Sequence, residues 1–416
     1  FEKRVIQCKG AVCGDPLARC NRSALRWQGD DGRKIAFTVG GCTAINELLS
    51  RKGSKKAEQP ADAYKEIWNF IDSHQPRSDA GNRLVIPRSF VVSEWAYFLA
   101  RVFERLGIPV HVDNVRDTDL SDAQPDFNVD TCAPQIGAVG QYRRLAGEPH
   151  GMILAPQILK LPTNGKSSGL TCTTNQGGVA VASNLAAMRY PNARIHVFHF
   201  SLERLDAGFL CDQLLTSLAP VFRYYDVRPD AARLQNVIEA ALADHAGLRG
   251  EVADLAAEFA EQALDEGRQV ALVVGREYVL NPGIYDSHIR RLLRERQLTV
   301  IPSYVLDLEL DPEYGHVYWR NPHAILTLLK AVAHRTLHGR VRHPRLREVF
   351  RRIEQDSAGT MLPVVQVSTF SCGPDSITAH YVAEIMKQRP FLRVQSDAVL
   401  KELAHLENRV NTYVKQ

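Results

Sequence analysis

The sequence predicts an α/β protein: two doubly wound parallel-sheet units, with helical inserts and a small cysteine-rich N-terminal region. Three observations carry that expectation. Short apolar runs recur along the chain with amphipathic segments between them. Two of the runs, "RQVALVVG" and "MLPVVQVSTF", are almost continuously apolar, as strands buried on both faces of a parallel sheet must be. The segments "RLVIP", "VSEWAYFLARVFERLG" and "IPVHVD" follow one another as strand, helix ending in glycine, and strand, which is a βαβ unit.

Taken in order, residues 1–78 hold half of all the cysteines and run into the polar linker "RKGSKKAEQPADA". Residues 79–200 form the first α/β domain, with "HGMILAP" and "ARIHVFHF" as two further strands. Residues 201–265 read as a helical connection, with Val252, Leu255 and Phe259 on one face. Residues 266–416 form the second α/β domain. There Tyr285, Ile289, Leu292 and Leu293 stand at helical spacing, "LTVIPS" is a strand, 322–357 is a helical insert, Asp375 to Lys387 is a helix and "FLRVQ" is a last strand. Both units are of the flavodoxin or Rossmann-like kind, and their crossovers are expected to be right-handed.

The bulk numbers exclude several classes. A length of 416 residues is too great for one ordinary core. With 45% hydrophobic and 24% charged residues the composition is neither disordered nor fibrous. A formal charge of +4 gives no global field for nucleic acid. No apolar run reaches the roughly 18 residues of a membrane span, and no signal-peptide pattern is present. The expectation is therefore a cytoplasmic protein with no nucleic-acid or membrane partner. The chain starts at Phe1, so it reads as a processed chain or as a piece of a longer one. Its 8 cysteines are too sparse for a disulfide scaffold and point instead to metal or redox chemistry.

Cys372 is the most informative of them. It ends an apolar run, beyond the carboxyl end of a strand, where open parallel sheets bind ligands. Pro374 suits the first turn of a helix, and Gly373 permits a sharp turn before it. The positive end of that helix is expected to lower the thiol pKa and favour thiolate. Cys132 in "VDTCAPQIGAVGQYRRL" and Cys172 in "SSGLTCTTNQGG" occupy comparable strand-end loops. Spacing alone favours packed free cysteines over ligands. If the three converge, three thiolates without an obvious fourth suit an iron–sulfur cluster with one exposed iron, or a zinc with a water.

Other signals are weaker. Cys8, Cys13, Cys20 and Cys42 are spaced C-x4-C-x6-C-x21-C in a zone with little core, which favours a metal, iron–sulfur ahead of zinc. Cys211 lies in an apolar helical pattern and reads as a core residue. "GREYVLNPGIYDSHI" puts Arg276, Tyr278, Asn281 and Asp286 just past a buried strand. These residues either contact a ligand or cluster, or form an ion pair and a turn. The seven arginines of "RTLHGRVRHPRLREVFRR" read first as a solvated helix face, then as a docking surface for an acidic partner, then as CoA phosphate recognition. His196 and His199 fall on opposite faces of a strand and are poorly placed to share a metal. No H-E-x-x-H or Walker-type phosphate loop is present.

"CAPQIGAVGQYRRL", "GREYVLNPGIYDSHIRRLL" and "FSCGPDSITAHYVAEIMKQRPFLRVQSD" resemble the activase-related proteins of the 2-hydroxyacyl-CoA dehydratase system. That group is related to cluster-binding dehydratase subunits and to double-cubane cluster proteins. The resemblance spans most of residues 80–400, and the "CGPDS…RPFL" block is its most specific part. It implies a four-iron four-sulfur or double-cubane cluster, with Cys132, Cys172 and Cys372 as ligands. Arg276, Tyr278, Asp286 and Gly373 then stand near the cofactor, and Cys8, Cys13, Cys20 and Cys42 hold a further cluster or zinc. It implies low-potential electron transfer driven by an activator ATPase of the acetate-kinase-like type, in a homodimer or larger complex. Two alternatives follow from the same resemblance: a non-catalytic, metal-stabilised scaffold subunit, or a CoA-ester dehydratase or reductase subunit. One departure is clear. Where the family continues past "RPFL" with Asp-Glu-His, this chain keeps Asp397 but has Ala398 and Val399.

Overall fold

In the computed structural model the described residues are 2–7, 21–28, 34–40, 59–127, 131–163, 168–281, 288–355, 361–396 and 403–414. The chain divides into two units, Phe1–Gln59 with Lys401–Thr412, and Pro60–Leu400 with Tyr413–Gln416. In the first unit Glu2–Gln7 (β1), Asn21–Gln28 (β2) and Lys34–Gly40 (β3) form a three-stranded antiparallel sheet. These strands were not expected from the sequence. The signal is the alternation of Ile35, Phe37 and Val39 with Ala36 and Thr38, which the dense cysteines on either side obscure. Cys8, Cys13, Cys20 and Cys42 lie outside the described residues.

The second unit holds both parallel sheets. Leu84–Arg88 (β4), Val110–Asn114 (β5), Met152–Ile158 (β6) and Ile195–Phe200 (β7) form the first, in the order β5-β4-β6-β7. Val270–Val274 (β8), Thr299–Pro302 (β9), Val364–Thr369 (β10) and Leu392–Ser396 (β11) form the second, in the order β11-β10-β8-β9. In each sheet the first strand in sequence therefore lies between the second and the third. The α/β expectation holds, with every strand pair in both sheets parallel.

Strand order makes a crevice where neighbouring strands diverge, between β4 and β6 and between β8 and β10. Side-chain chemistry opens the first one. β4 and β6 pair only at Leu84–Met152 and Val85–Ile153. Beyond those pairs come Pro87 and Pro156, which have no N–H to continue a ladder. Two residues past β4 stands Phe90, buried with φ 47°, and two past β10 stands Ser371 with φ 59°. Both bordering strands thus turn through a left-handed residue that is not glycine, a conformation the surroundings must hold in place.

Helices cover the sheets. Ala133–Ala146 and Thr173–Arg189 pack on each other, and Val92–Arg105 packs on β4 and β5. Ala231–Asp265, 35 residues long, packs against Val92–Arg105, Ala207–Ser217 and Pro344–Gln355. Its buried face is made of small residues, with Ala253, Ala256, Ala257, Ala260 and Ala263 around Val252. Leu255 and Phe259, expected on that face, are only half-buried, because alanines allow the closest helix approach and leave larger residues at the flanks. Asp244 on this helix accepts hydrogen bonds from Arg101 at 2.8 Å and from Arg105 at 2.8 and 3.0 Å. Arg345 reaches Glu261 at 2.6 Å, and Arg352 reaches Asp265 at 2.8 Å.

The helix expected from Asp375 to Lys387 is broken into Gly373–Ile377 and Ala379–Met386. At the break the Thr378 amide and hydroxyl both donate to the Pro374 carbonyl, at 3.2 and 2.9 Å, while the next carbonyl, of Asp375, accepts from the Arg393 side chain at 3.0 Å. The arginine-rich segment pairs with the chain's own acids. Arg340 meets Asp311, Arg342 meets Asp307, Arg345 meets Asp254 and Glu261, and Arg351 meets Glu348. Cys211 is buried, with its thiol donating to the Ala231 carbonyl. His196 stacks on Phe198, while His199 is exposed.

Two glycines give opposite predictions. A Cβ at Gly140 would stand 1.9 Å from the Asp119 carbonyl oxygen, which is backbone and cannot swing away. Gly140→Ala should lower stability by about 1–3 kcal/mol. Gly247, in the long helix, has nothing within 4 Å, and Gly247→Ala should raise stability by up to about 1 kcal/mol. Urea denaturation midpoints of the two variants check both signs.

Candidate functional site

The three dispersed cysteines have one structural role in common. Cys132 is the N-cap of Ala133–Ala146, Cys172 of Thr173–Arg189 and Cys372 of Gly373–Ile377. All three have extended backbone at the cap. The Cys172 and Cys372 helices follow β6 and β10, and the Cys132 helix, which comes after a short helix beyond β5, leads back into β6, so each sulfur is carried at a carboxyl-terminal sheet edge. Pro at the first turn of the Cys132 and Cys372 helices costs no hydrogen bond there.

Specific contacts fix these positions. Behind Cys132, the Tyr142 hydroxyl donates to the Leu154 carbonyl at 3.0 Å and ties the helix to β6. Arg144 bridges Asp113 at 2.7 Å and Asp119 at 2.8 Å, tying the same helix to β5. Before Cys172, the Thr171 hydroxyl donates to the Ile158 carbonyl at 2.7 Å, at the end of β6. Between the two helices, Gln135 lies directly over Gly178, where a Cβ would come within 1.9 Å of the Gln135 amide oxygen. The Gln135 amide donates to the Gly178 carbonyl at 3.3 Å. The Gln135 side chain thus fills the space that a side chain at position 178 would take and links the Cys132 and Cys172 helices.

Arg276, just past β8, organises the Cys372 side. Its guanidinium pairs with Asp375 at 2.9 Å, and both side chains are 5% exposed or less. It also donates to the Tyr278 hydroxyl at 3.1 Å and the Thr369 hydroxyl at 3.4 Å. Asp375 accepts a further bond from Ser368 at 2.6 Å, and its own amide donates to the Cys372 sulfur at 3.4 Å. The Tyr278 ring meets Phe90 edge-on at 5.9 Å, which joins the ends of β8 and β4. Burial by itself would favour loss of the Arg276 proton. Asp375, with Tyr278 and Cys372, instead holds the arginine well above its ordinary pKa, so it remains a fixed cation.

The same cation is felt by two of the cysteines. Burial pushes the Cys372 thiol up to about 12, against a downward pull from Arg276. Burial also raises Cys132, against the Gln135 amide and Arg276. Cys172 in turn raises both Cys132 and Cys372, so the three sulfurs share one electrostatic neighbourhood. The expectation that the helix N-terminus would make Cys372 a ready thiolate is corrected here. Loss of water outweighs the helix end, and the free thiol stays protonated.

Among the described residues, no three His, Cys, Asp or Glu side chains are grouped so that they could hold a metal ion. Gly373 is exposed and begins its helix with open space around it, and the left-handed residue of the turn is Ser371. Asp286 lies outside the described residues. Asn281 is fully buried, and Tyr278 is 2% exposed. Asp375 was visible in "CGPDS" but not as the partner of Arg276, because 99 residues separate the two. Phe90 carried no signal beyond following a strand.

Residues 83–306, more than half of the chain, match the family model described as the CoA enzyme activase uncharacterised domain. No curated protein matches the chain.

Removing one member of the buried pair leaves an uncompensated charge. Arg276→Met should therefore cost about 3–5 kcal/mol in urea denaturation. A thiol near 12 is about a thousandfold less ionised at pH 8 than one near 9. Iodoacetamide should then label native, metal-free Cys372 at pH 8 at least a hundredfold more slowly than it labels the urea-unfolded chain, as read by peptide mass mapping.

Proposed function

The chain belongs to the CoA enzyme activase uncharacterised domain family, and on that premise we propose that it is an iron–sulfur protein of ATP-coupled, low-potential electron transfer. In this reading it acts with a separate activator ATPase of the acetate-kinase-like type and passes electrons to a dehydratase-type component. Cys132, Cys172 and Cys372 hold a four-iron four-sulfur cluster. The observation that carries the proposal is the electrostatic neighbourhood shared by the three N-cap cysteines, with Arg276 as its fixed cation.

The residues suit such a group. Thiolates bound to one zinc crowd a single ion at about 2.3 Å each, whereas cluster ligands attach to different irons and stand farther apart. Three N-cap cysteines that act on one another's ionisation beside a buried cation supply the thiol donors that such a cluster needs. When bound, the cluster supplies a one-electron couple whose potential follows net charge, hydrogen bonding and solvent access. Arg276 offsets the negative charge of the thiolates. The Asp375 amide gives Cys372 a hydrogen bond. Burial holds the Tyr278 phenol well above its ordinary pKa, so it remains neutral, accepts the hydrogen bond from Arg276 and excludes water. The four N-terminal cysteines enter the proposal only as a further iron–sulfur or zinc site.

The test is anaerobic purification with iron, sulfide and zinc analysis, and an EPR spectrum after dithionite reduction. About four or more irons with matching sulfide and a reduced-cluster signal are expected. Cys372→Ala should lose most of that iron while the protein remains folded by circular dichroism. About one zinc without sulfide, or iron unchanged in the variant, overturns the assignment.

A further inference from the structure

The second unit also contains a cavity of about 630 Å³, which the three cysteines do not line. That volume is in the range of small-molecule sites. Its polar wall runs from Glu94 on the helix after β4 to Arg249 on the long helix, Glu277 after β8, and Arg320 and Asn321 at the start of Arg320–Ala333. The opposite character comes from Trp95, Leu161, Leu308, Ile325 and Leu328.

The charges in this wall do not balance. Arg276 has Asp375 at 2.9 Å, Arg249 has Glu277 at 3.1 Å, and Arg342 at the rim has Asp307 at 3.3 Å. Arg320 is different. Its Nε donates to the Pro162 carbonyl at 2.7 Å, but among the described residues its two terminal nitrogens make no hydrogen bond or ion pair. The nearest carboxyl in electrostatic terms is Glu94. Burial, and then Glu277, push Glu94 up to about 8, against the pull of Arg249, Arg320 and Asn321. Glu94 is therefore mainly protonated at neutral pH and supplies a donor instead of a counter-charge. His245, stacked on Trp95 at 4.6 Å, is held neutral down to about 3 by burial and by Arg249, so it adds no cation.

One arginine fork, one neutral carboxyl group and an apolar wall converge on one chemistry. We propose that the cavity binds a monocarboxylate with a short aliphatic body, its carboxylate on the free nitrogens of Arg320 and its chain against Leu161, Leu308 and Leu328. Arginine offers two parallel donors to a carboxylate, and the Glu94 carboxyl donates a third hydrogen bond. A phosphate dianion would bring one negative charge too many into a wall with a single unmatched cation, and it has no use for the apolar side. This site goes beyond the cluster proposal and stands without it.

The probes are hexanoate, hexylamine and inorganic phosphate, titrated calorimetrically into the full chain at pH 6.5 and pH 9.5. Hexanoate should bind at pH 6.5 and at least tenfold more weakly at pH 9.5. Above about 8 Glu94 ionises, repels the ligand and competes for Arg320. Arg320→Gln should weaken hexanoate binding at least tenfold at pH 6.5. Glu94→Gln should keep a donor and abolish the loss at pH 9.5. Hexylamine binding as tightly as hexanoate, or hexanoate binding equally at both pH values, overturns the proposal on the unmodified chain alone. Phosphate binding without hexanoate binding overturns it in favour of a phosphoryl ligand.

Discussion

The buried ion pair between Arg276 and Asp375 is the constraint on which the site depends. A charge taken out of water is tolerated only when a partner and further hydrogen bonds replace the lost solvent. Here the partners come from both sides of the crevice in the second sheet. Arg276 follows β8, while Ser368, Thr369 and Asp375 come from β10 and the turn after it. The pair therefore fixes the Cys372 turn relative to the neighbouring strand, and it does so with a cation that also acts on Cys132. Tyr278 extends the same group to Phe90 and the first sheet. A hydrophobic cluster could pack as densely, but it would not set the charge felt by the sulfurs.

Around this pair the two sheets repeat one solution. Each places its first strand between the second and the third, and each turns just past a bordering strand through a left-handed residue that is not glycine. The first sheet separates at two prolines, the second by the early end of β8. The cysteines then arrive on helices that start at those edges. No helix among the described residues is long and apolar enough to cross a membrane, and the longest is instead studded with charges that pair outward.

Much of the second unit was legible in the sequence because parallel strands are apolar on both faces and helices are not. The runs around Val270–Val274 and Val364–Thr369 could hardly be anything else. The N-terminal strands were missed because their alternation is short and cysteines interrupt the pattern. The break at Thr378 was missed because side chains bonding to helix carbonyls, one of them from Arg393 on β11, leave no periodic trace. For the site, local cues named Cys132, Cys172, Cys372, Arg276 and Tyr278, since strand ends and helix starts are local features. They could not name what acts on these residues. The pairing of Arg276 with Asp375, the contact of Gln135 with Gly178 and the solitary Arg320 all join residues far apart in the chain. The sign of the Cys372 shift was misjudged for the same reason, because a helix end can be read from three residues and burial only from the whole fold.

The long helix Ala231–Asp265 carries a mechanical consequence. At 1.5 Å per residue it is a rod of about 50 Å. It is gripped near its middle by Arg101 and Arg105, which belong to the first sheet's layer, and near its far end by Arg345 and Arg352 of the helical insert before β10. A beam held at two points resists rotation of either support. Closing or opening the crevices would have to flex the beam or slide its alanine-lined face over the helices packed on it.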